Sequence, residues 1–223
     1  MRKIMEPSFY FLYLALMIGI GAYLLCFGLR KRKAICLLGC GCLLLAFGDA
    51  FHLIPRAIGL FTDTLDAPSA ILAFFLGIGK LITSITMTLF YALLYAYGRK
   101  AKLFPTKRRA DIFVLATFAA RIILCAFPQN QWTTNGNDLL WGILRNIPFL
   151  ALGILLIAYS FIYLRKVRPF GLLYLAMILS WAFYIPVVVG ASFVSWLGMM
   201  MIPKTICYLW IGFLFARHSK IER

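Results

Sequence analysis

Apolar stretches long enough to cross a bilayer recur along the whole chain, each separated from the next by a short polar break. A helix needs roughly 20 apolar residues to span the hydrocarbon, and only helices or closed barrels can do so, because lipid offers unpaired backbone amides no partner. Barrel strands read as about 10 residues of alternating character. These runs are longer and continuous, so they are read as helices. Composition points the same way: 63% of the 223 residues are hydrophobic and 13% charged. Soluble domains carry about 45–50% and about 25%, and a soluble fold of this length has too little interior for so much apolar surface.

The pattern predicts helices at 8–29, 34–55, 68–97, 110–128, 139–164, 170–190 and 193–216. The expected fold class is an all-α integral membrane protein with seven transmembrane helices in a single transmembrane domain, 1–223. The third helix is long enough to tilt or to extend beyond the bilayer. The first run exceeds the core of about 7–15 residues typical of a signal peptide. No small-residue cleavage site precedes the cluster Arg30-Lys31-Arg32-Lys33, so the first run is read as a retained helix.

Charge then orients the chain. Arg30, Lys31, Arg32 and Lys33 follow the first helix; Arg99, Lys100, Lys102, Lys107, Arg108 and Arg109 the third; Arg165, Lys166 and Arg168 the fifth. Arg217, Lys220 and Arg223 lie in the tail. The other side holds Arg2, Lys3 and Arg56 against Glu6, Asp63, Asp66 and Asp138. Basic loops stay cytoplasmic, which puts the N-terminus outside and the C-terminus in the cytoplasm. An even number of spans would put some basic clusters on the wrong side. A cell (plasma) membrane, multi-pass location is expected. The formal net charge of +16 is read as topology, with the basic loops meeting anionic lipid head groups, and no nucleic-acid partner is expected. Cys26, Cys36, Cys40, Cys42, Cys125 and Cys207 all fall in apolar runs and read as small buried hydrophobes. No metal site and no cofactor are expected.

Three markers recur in the same order. Leu29-Arg30-Lys31 and Leu164-Arg165-Lys166 close helices one and five. Ile54-Pro55 with Gly59 and Ile185-Pro186 with Gly190 mark the ends of helices two and six. Gly79-Lys80 and Pro203-Lys204 mark the middles of helices three and seven. This predicts a 3+1+3 parallel triplet repeat: residues 8–97, a linker helix at 110–128, and residues 139–216.

Once the loop charges are set aside, Asp49, Lys80, Arg121, Arg145 and Lys204 remain inside helices, with His52 and Arg56 near a helix end. Such groups cost about 2.5–3.5 kcal/mol each on insertion scales and normally face the bundle interior or a wet cavity. On the expected orientation all lie at the midplane or in the outer half, which predicts a polar cavity open to the outside. Asp49, His52 and Arg56 share one face of helix two; Lys80, Thr83, Ser84, Thr88 and Tyr91 form a stripe on helix three; Lys204 and Tyr208 stack on helix seven. Pro148 and Pro203 are expected to kink their helices and free carbonyls. Asp49 offsets one of the four cations Lys80, Arg121, Arg145 and Lys204, so the cavity is net positive and suits a small anionic ligand. The expected ligand-binding residues are Asp49, His52, Arg56, Lys80, Ser84, Arg121, Arg145, Asn146, Lys204 and Tyr208. Blander readings stand beside these. Asp49 serves a structural salt bridge, the arginines snorkel, the helix-three hydroxyls bond their own backbone, and Trp132, Trp141 and Trp196 form an interfacial belt.

Two resemblances accompany this reading. The triplet–linker–triplet layout, seven helices and outside N-terminus resemble the SWEET and PQ-loop transporters. The phrases Gly-Asp-Ala-Phe-His-Leu-Ile-Pro-Arg (48–56), Phe-Pro-Gln-Asn-Gln-Trp (127–132), Arg-Asn-Ile-Pro-Phe (145–149) and Met-Ile-Pro-Lys-Thr (201–205) are similar to those of an uncharacterised group of small bacterial membrane proteins. The first implies a transporter; the second implies no activity. Two other functions compete. An intramembrane lipid-modifying enzyme would use Asp49, His52 and Ser84, yet the chain has no three-ligand metal set and no G-x-S-x-G elbow. A rhodopsin-like receptor would use Lys204 but would lack a carboxylate on helix three. Whether the chain is an enzyme stays open at this stage.

Overall fold

The computed structural model describes residues 2–65, 67–136, 138–190 and 193–221. Asp66 and Arg223, used above as charge markers, lie outside the described residues, as does the side chain of Arg2. The seven α-helices are α1 (Arg2–Arg30), α2 (Ile35–Phe61), α3 (Ala70–Lys100), α4 (Arg108–Ala126), α5 (Leu139–Tyr159), α6 (Leu173–Gly190) and α7 (Met201–Ile221). Short 3₁₀ turns occupy Pro128–Asn130, Phe170–Leu172 and Ser195–Met200, and a π-helical turn, Ser160–Leu164, continues α5. No strand occurs among the described residues.

Six segments are long and apolar enough to cross a membrane: Lys3–Arg30, Ile35–Phe61, Ala70–Lys100, Leu139–Leu164, Phe170–Gly190 and Trp196–Ile221. The chain therefore has the make-up of a multi-pass membrane protein. The remaining helix, α4, holds Arg108, Arg109, Asp111 and Arg121 within 19 residues and is too charged to qualify with them. Large apolar side chains face outward around the bundle, among them Ile71, Leu115, Ile123, Ile162 and Phe193. Lipid, not water, makes that arrangement favourable.

The helices pack in chain order. Each touches the next from α1 to α7, and α7 returns to α1 and closes a ring; α3 meets α5, and α2 meets α7, across the inside. The buried centre includes Tyr13, Met17, Leu24, Leu45, Phe90 and Phe215. α2 and α3 cross very closely. A Cβ on Gly79 would stand 2.4 Å from the Phe51 carbonyl oxygen, so only glycine lets the two backbones meet beside Lys80.

Several expected boundaries shift. α1 begins by Arg2, so Lys3 and Glu6 are helical and not part of an outer tail. Pro55 lies inside α2, which continues past the expected end at 55 to Phe61, while Pro186 lies inside α6, which ends at Gly190 as expected. One proline removes a single ladder bond, and a helix in a packed bundle survives that loss. Pro203 sits in the first turn of α7, after the 3₁₀ stretch. A first-turn amide has no intrahelical partner anyway, so this proline initiates the helix and kinks nothing. Pro148 is internal to α5 as expected. The cysteines are all free thiols, but Cys26 is exposed, and Cys36 and Cys40 are half-buried.

Candidate functional site: a cationic cavity at one end of the ring

The cavity lies at the end built by the α2–α3, α4–α5 and α6–α7 connections, opposite the basic clusters. Its volume is about 630 Å³, and its walls include His52, Arg56, Lys80, Ser84, Arg145, Asn146 and Lys204. Seven of the ten expected residues thus share one hollow. The other three do not line it. Arg121 is fully buried behind the wall, Tyr208 is 3% exposed below it, and Asp49 is turned toward α1.

Among the described residues, four cationic side chains line the hollow; Arg56 is paired with Glu6, and the other three face the space in different ways. Lys204, 3% exposed, lies 4.1 Å from the centroid of the Tyr184 ring and 5.6 Å from that of Tyr208. Its Nζ donates to the Met87 sulfur at 3.4 Å. This is a cation held by π faces and a thioether, weaker partners than a carboxylate. Arg145 donates from Nη1 to Asn130 Oδ1 at 2.8 Å, and its guanidinium lies 4.6 Å from the Trp132 ring centroid. Lys80, half-buried, makes no hydrogen bond, ion pair or ring contact with the described residues.

Arg121 organises the wall without entering the cavity. It donates from Nη1 to the Arg145 carbonyl at 2.7 Å and to Asn146 Oδ1 at 2.9 Å, and from Nε to the Ser84 carbonyl at 3.3 Å. It also lies 4.4 Å from the Phe149 ring centroid. Asn146 Oδ1 accepts in turn from the Tyr184 hydroxyl at 2.9 Å, and Asn146 Nδ2 donates to the Gly142 carbonyl at 2.7 Å. α3, α4, α5 and α6 are thereby tied through one guanidinium and one amide. Pro148 lacks the amide that would bond the Leu144 carbonyl, so the α5 ladder is interrupted beside Arg145.

Every described carboxylate at this end is engaged elsewhere. Glu6, 3% exposed, pairs with Arg56 Nη2 at 2.9 Å and accepts from the Tyr10 hydroxyl. Arg56 Nε donates to the Tyr10 oxygen at 2.9 Å. Asp63 pairs with Lys3. Asp138 caps α5 by accepting from the Trp141 amide at 2.9 Å. Asp49 accepts from the Tyr13 hydroxyl at 2.6 Å. It lies close enough to Lys204 to be felt electrostatically, yet it forms no ion pair. The expected neutralisation of a cavity cation by direct contact with Asp49 is therefore replaced by a tyrosine contact to α1. Asp and Glu are absent from the cavity wall among the described residues.

The hydroxyl stripe of α3 is mostly satisfied by backbone. Ser84 donates to the Lys80 carbonyl at 2.8 Å, Thr88 to the Ser84 carbonyl at 2.8 Å, and Thr83 to the Gly48 carbonyl across the helix crossing at 2.9 Å. Ser84 therefore makes no hydrogen bond with His52 or Asp49 that would prepare it as a nucleophile. His52 lines the cavity with its Nδ1 buried and unbonded.

Comparison with family models, with curated proteins and with solved structures finds no match.

Sequence reading missed several contributors. Trp132, read as belt, stacks on Arg145 and donates from Nε1 to the Cys125 carbonyl at 2.8 Å. Asn130, 1% exposed, anchors the loop by donating to the Leu124 and Phe127 carbonyls at 2.8 and 2.9 Å. Asn135 lines the cavity with a positive φ of 55°, and the Asn135-Gly136 pair is the one local signal that could have marked that turn. Tyr184 and the apolar wall of α6 carried no signal beyond their hydrophobicity.

Proposed function

We propose that this protein is a seven-span plasma-membrane transporter or ligand-binding protein, N-terminus outside, whose outward cavity takes a small organic anion. One observation carries the reading: Lys80, Arg145 and Lys204 line one hollow, and among the described residues no carboxylate joins them in its wall. Charged groups at such depth are retained at a cost, and an anion entering the hollow would supply the missing counter-charge. Lys80, with no protein partner, is the group a ligand meets at least desolvation cost.

The seventh span rests on α4. Its Arg121 is turned wholly inward, while Ile112, Phe113, Leu115 and Ile123 face out. Its 19 residues extend about 28 Å, close to a hydrocarbon core of about 30 Å. The orientation follows from the basic loops at the far end. The parallel repeat is supported by the internal prolines of α2 and α6, Pro55 and Pro186, and by Lys80 and Lys204 reaching one cavity from α3 and α7.

The test is uptake and binding with purified protein. In proteoliposomes, or by calorimetry in nanodiscs, a panel of small carboxylates and phosphates gives saturable, salt-sensitive binding. Lys80→Ala weakens it about tenfold or more, since a hydrogen bond to a charged group contributes about 1.5–3 kcal/mol. A panel with no saturable member, or a Lys80→Ala protein that binds as the parent does, removes the proposal. Residue-by-residue thiol labelling at the two ends of the bundle tests the orientation separately.

A further inference from the structure

We infer that the ligand is an amphiphile: an organic anion whose charged group sits among Lys80, Arg145 and Lys204, with an apolar part against α6 and the segment before α7. This deepens the anion reading and rests on it. The two sides of the cavity differ in chemistry. α2, α3 and α5 contribute His52, Lys80, Ser84, Arg145 and Asn146, with Leu76 and Met87 beside them, whereas α6, the segment before α7 and the start of α7 contribute Val187, Val188, Trp196, Met199 and Met201, with Lys204 as the charged group on that side. Tyr184 stands at the seam, with its hydroxyl on Asn146 and its ring against Lys204. A compact hydrophilic ion would leave the second wall against water in a hollow of about 630 Å³, and apolar surface left wet is unfavourable. An uncharged apolar ligand would strand the three cations without a counter-charge. Only a molecule carrying both characters satisfies both walls.

The mouth agrees. Trp196 and Met199 line the cavity and are also 58% and 44% exposed, so the apolar wall continues from the hollow to the outer surface. Unbranched thioethers adapt to chains of differing length, and Met87, Met199 and Met201 all border the space. A free fatty-acid-like solute from the outside and an anionic lipid from the outer leaflet present the same chemistry to these walls.

The experiment uses the full chain in phosphatidylcholine nanodiscs, with empty nanodiscs as the partition control. Butanoate, hexanoate, octanoate and decanoate are titrated by calorimetry, with inorganic phosphate and decanol as probes of each character alone. Affinity is expected to tighten about fourfold per added methylene, from about 0.8 kcal/mol for each CH₂ buried. Both phosphate and decanol bind at least tenfold more weakly than decanoate. Lys80→Ala weakens every member of the series by a similar factor, whereas Val188→Thr with Met199→Ser lowers the gain per methylene. Nanodiscs containing phosphatidylglycerol separate the sources: loss of decanoate binding there assigns the site to a lipid, and unaltered binding assigns it to a soluble solute. Equal affinities along the series, or decanol binding as well as decanoate, overturn the amphiphile and leave the anion reading standing. Absence of binding by every anion, phosphate included, sinks the anion reading beneath it.

Discussion

The two ends of the bundle are built from different materials. At the cytoplasmic end of the proposed topology, aromatic rings fill the space between helices. Phe104 sits between Tyr95, Tyr159 and Tyr163 with centroids 6.2, 5.3 and 6.4 Å away, and Phe170 packs on Phe215 at 6.1 Å and on His218 at 4.3 Å. The ion pair of Arg99 with Asp111 at 3.1 Å joins α3 to α4 at the surface there. At the other end the rings give way to guanidinium, amide and ammonium groups around a hollow, and two of the connections are 3₁₀ turns. Dispersion between rings rewards close contact and excludes water. Buried cations without carboxylates keep a space that something polar must occupy. One end is filled by packed rings, and the other keeps a hollow lined by charge.

The largest test of that contrast is Arg121→Ala. It removes the charged donor that ties the Ser84 and Arg145 carbonyls and the Asn146 amide oxygen to α4, and hydrogen bonds to a charged group contribute about 1.5–3 kcal/mol each. We expect a loss of about 3 kcal/mol or more, read as a fall in melting temperature in detergent. A variant that melts with the parent protein would show that the outer end is not organised by this guanidinium.

Next comes Gly98→Ala against Gly79→Ala. A Cβ at Gly98 would stand 2.2 Å from the Phe104 ring, and one at Gly79 would stand 2.4 Å from the Phe51 carbonyl oxygen. Overpacking of this kind costs about 1–3 kcal/mol. Both variants should lose stability, but only Gly79→Ala, beside Lys80, should also weaken anion binding. Equal effects on binding would erase the distinction between the ends.

Lys80→Ala should change stability by less than about 0.5 kcal/mol, because its ammonium has no protein partner to lose, while binding falls as described above. A large drop in melting temperature would mean Lys80 is structural. The smallest effect is expected at Gly142, which lines the hollow and whose added Cβ would meet nothing within 4 Å. Gly142→Ala should raise stability by about 0.5–1 kcal/mol through helix propensity, and a destabilised variant would contradict the open space drawn there.

The sequence made part of this legible. Depth along each apolar run put Lys80 and Lys204 midway and Arg145 and Asn146 in the outer third; the four line one hollow, with Lys204 in the first turn of α7 and not at its middle. Spacing on α2 also put His52 and Arg56 on one face. What stayed hidden depended on pairing between distant segments. Glu6 and Arg56 are 50 residues apart, and nothing in either run names the other. Asp49 looked like a partner for a cation and instead met Tyr13, 36 residues earlier. Trp132 and Asn130 belong to a loop whose fold depends on carbonyls left free at the end of α4, and helical periodicity is silent there. A proline misled for a related reason: Pro55 read as the last residue of helix two, but α2 runs on to Phe61, because a bundle can absorb one missing amide.

The burial of Arg121 has a consequence for how the chain is made. A guanidinium in the middle of a short helix opposes release into lipid by about 2.5–3.5 kcal/mol, and two of its three acceptors belong to residues 145 and 146, on the next helix. On the proposed topology α4 therefore enters the bilayer together with α5, as a hairpin, and a ribosome-bound chain truncated before Asn146 should leave α4 outside the hydrocarbon.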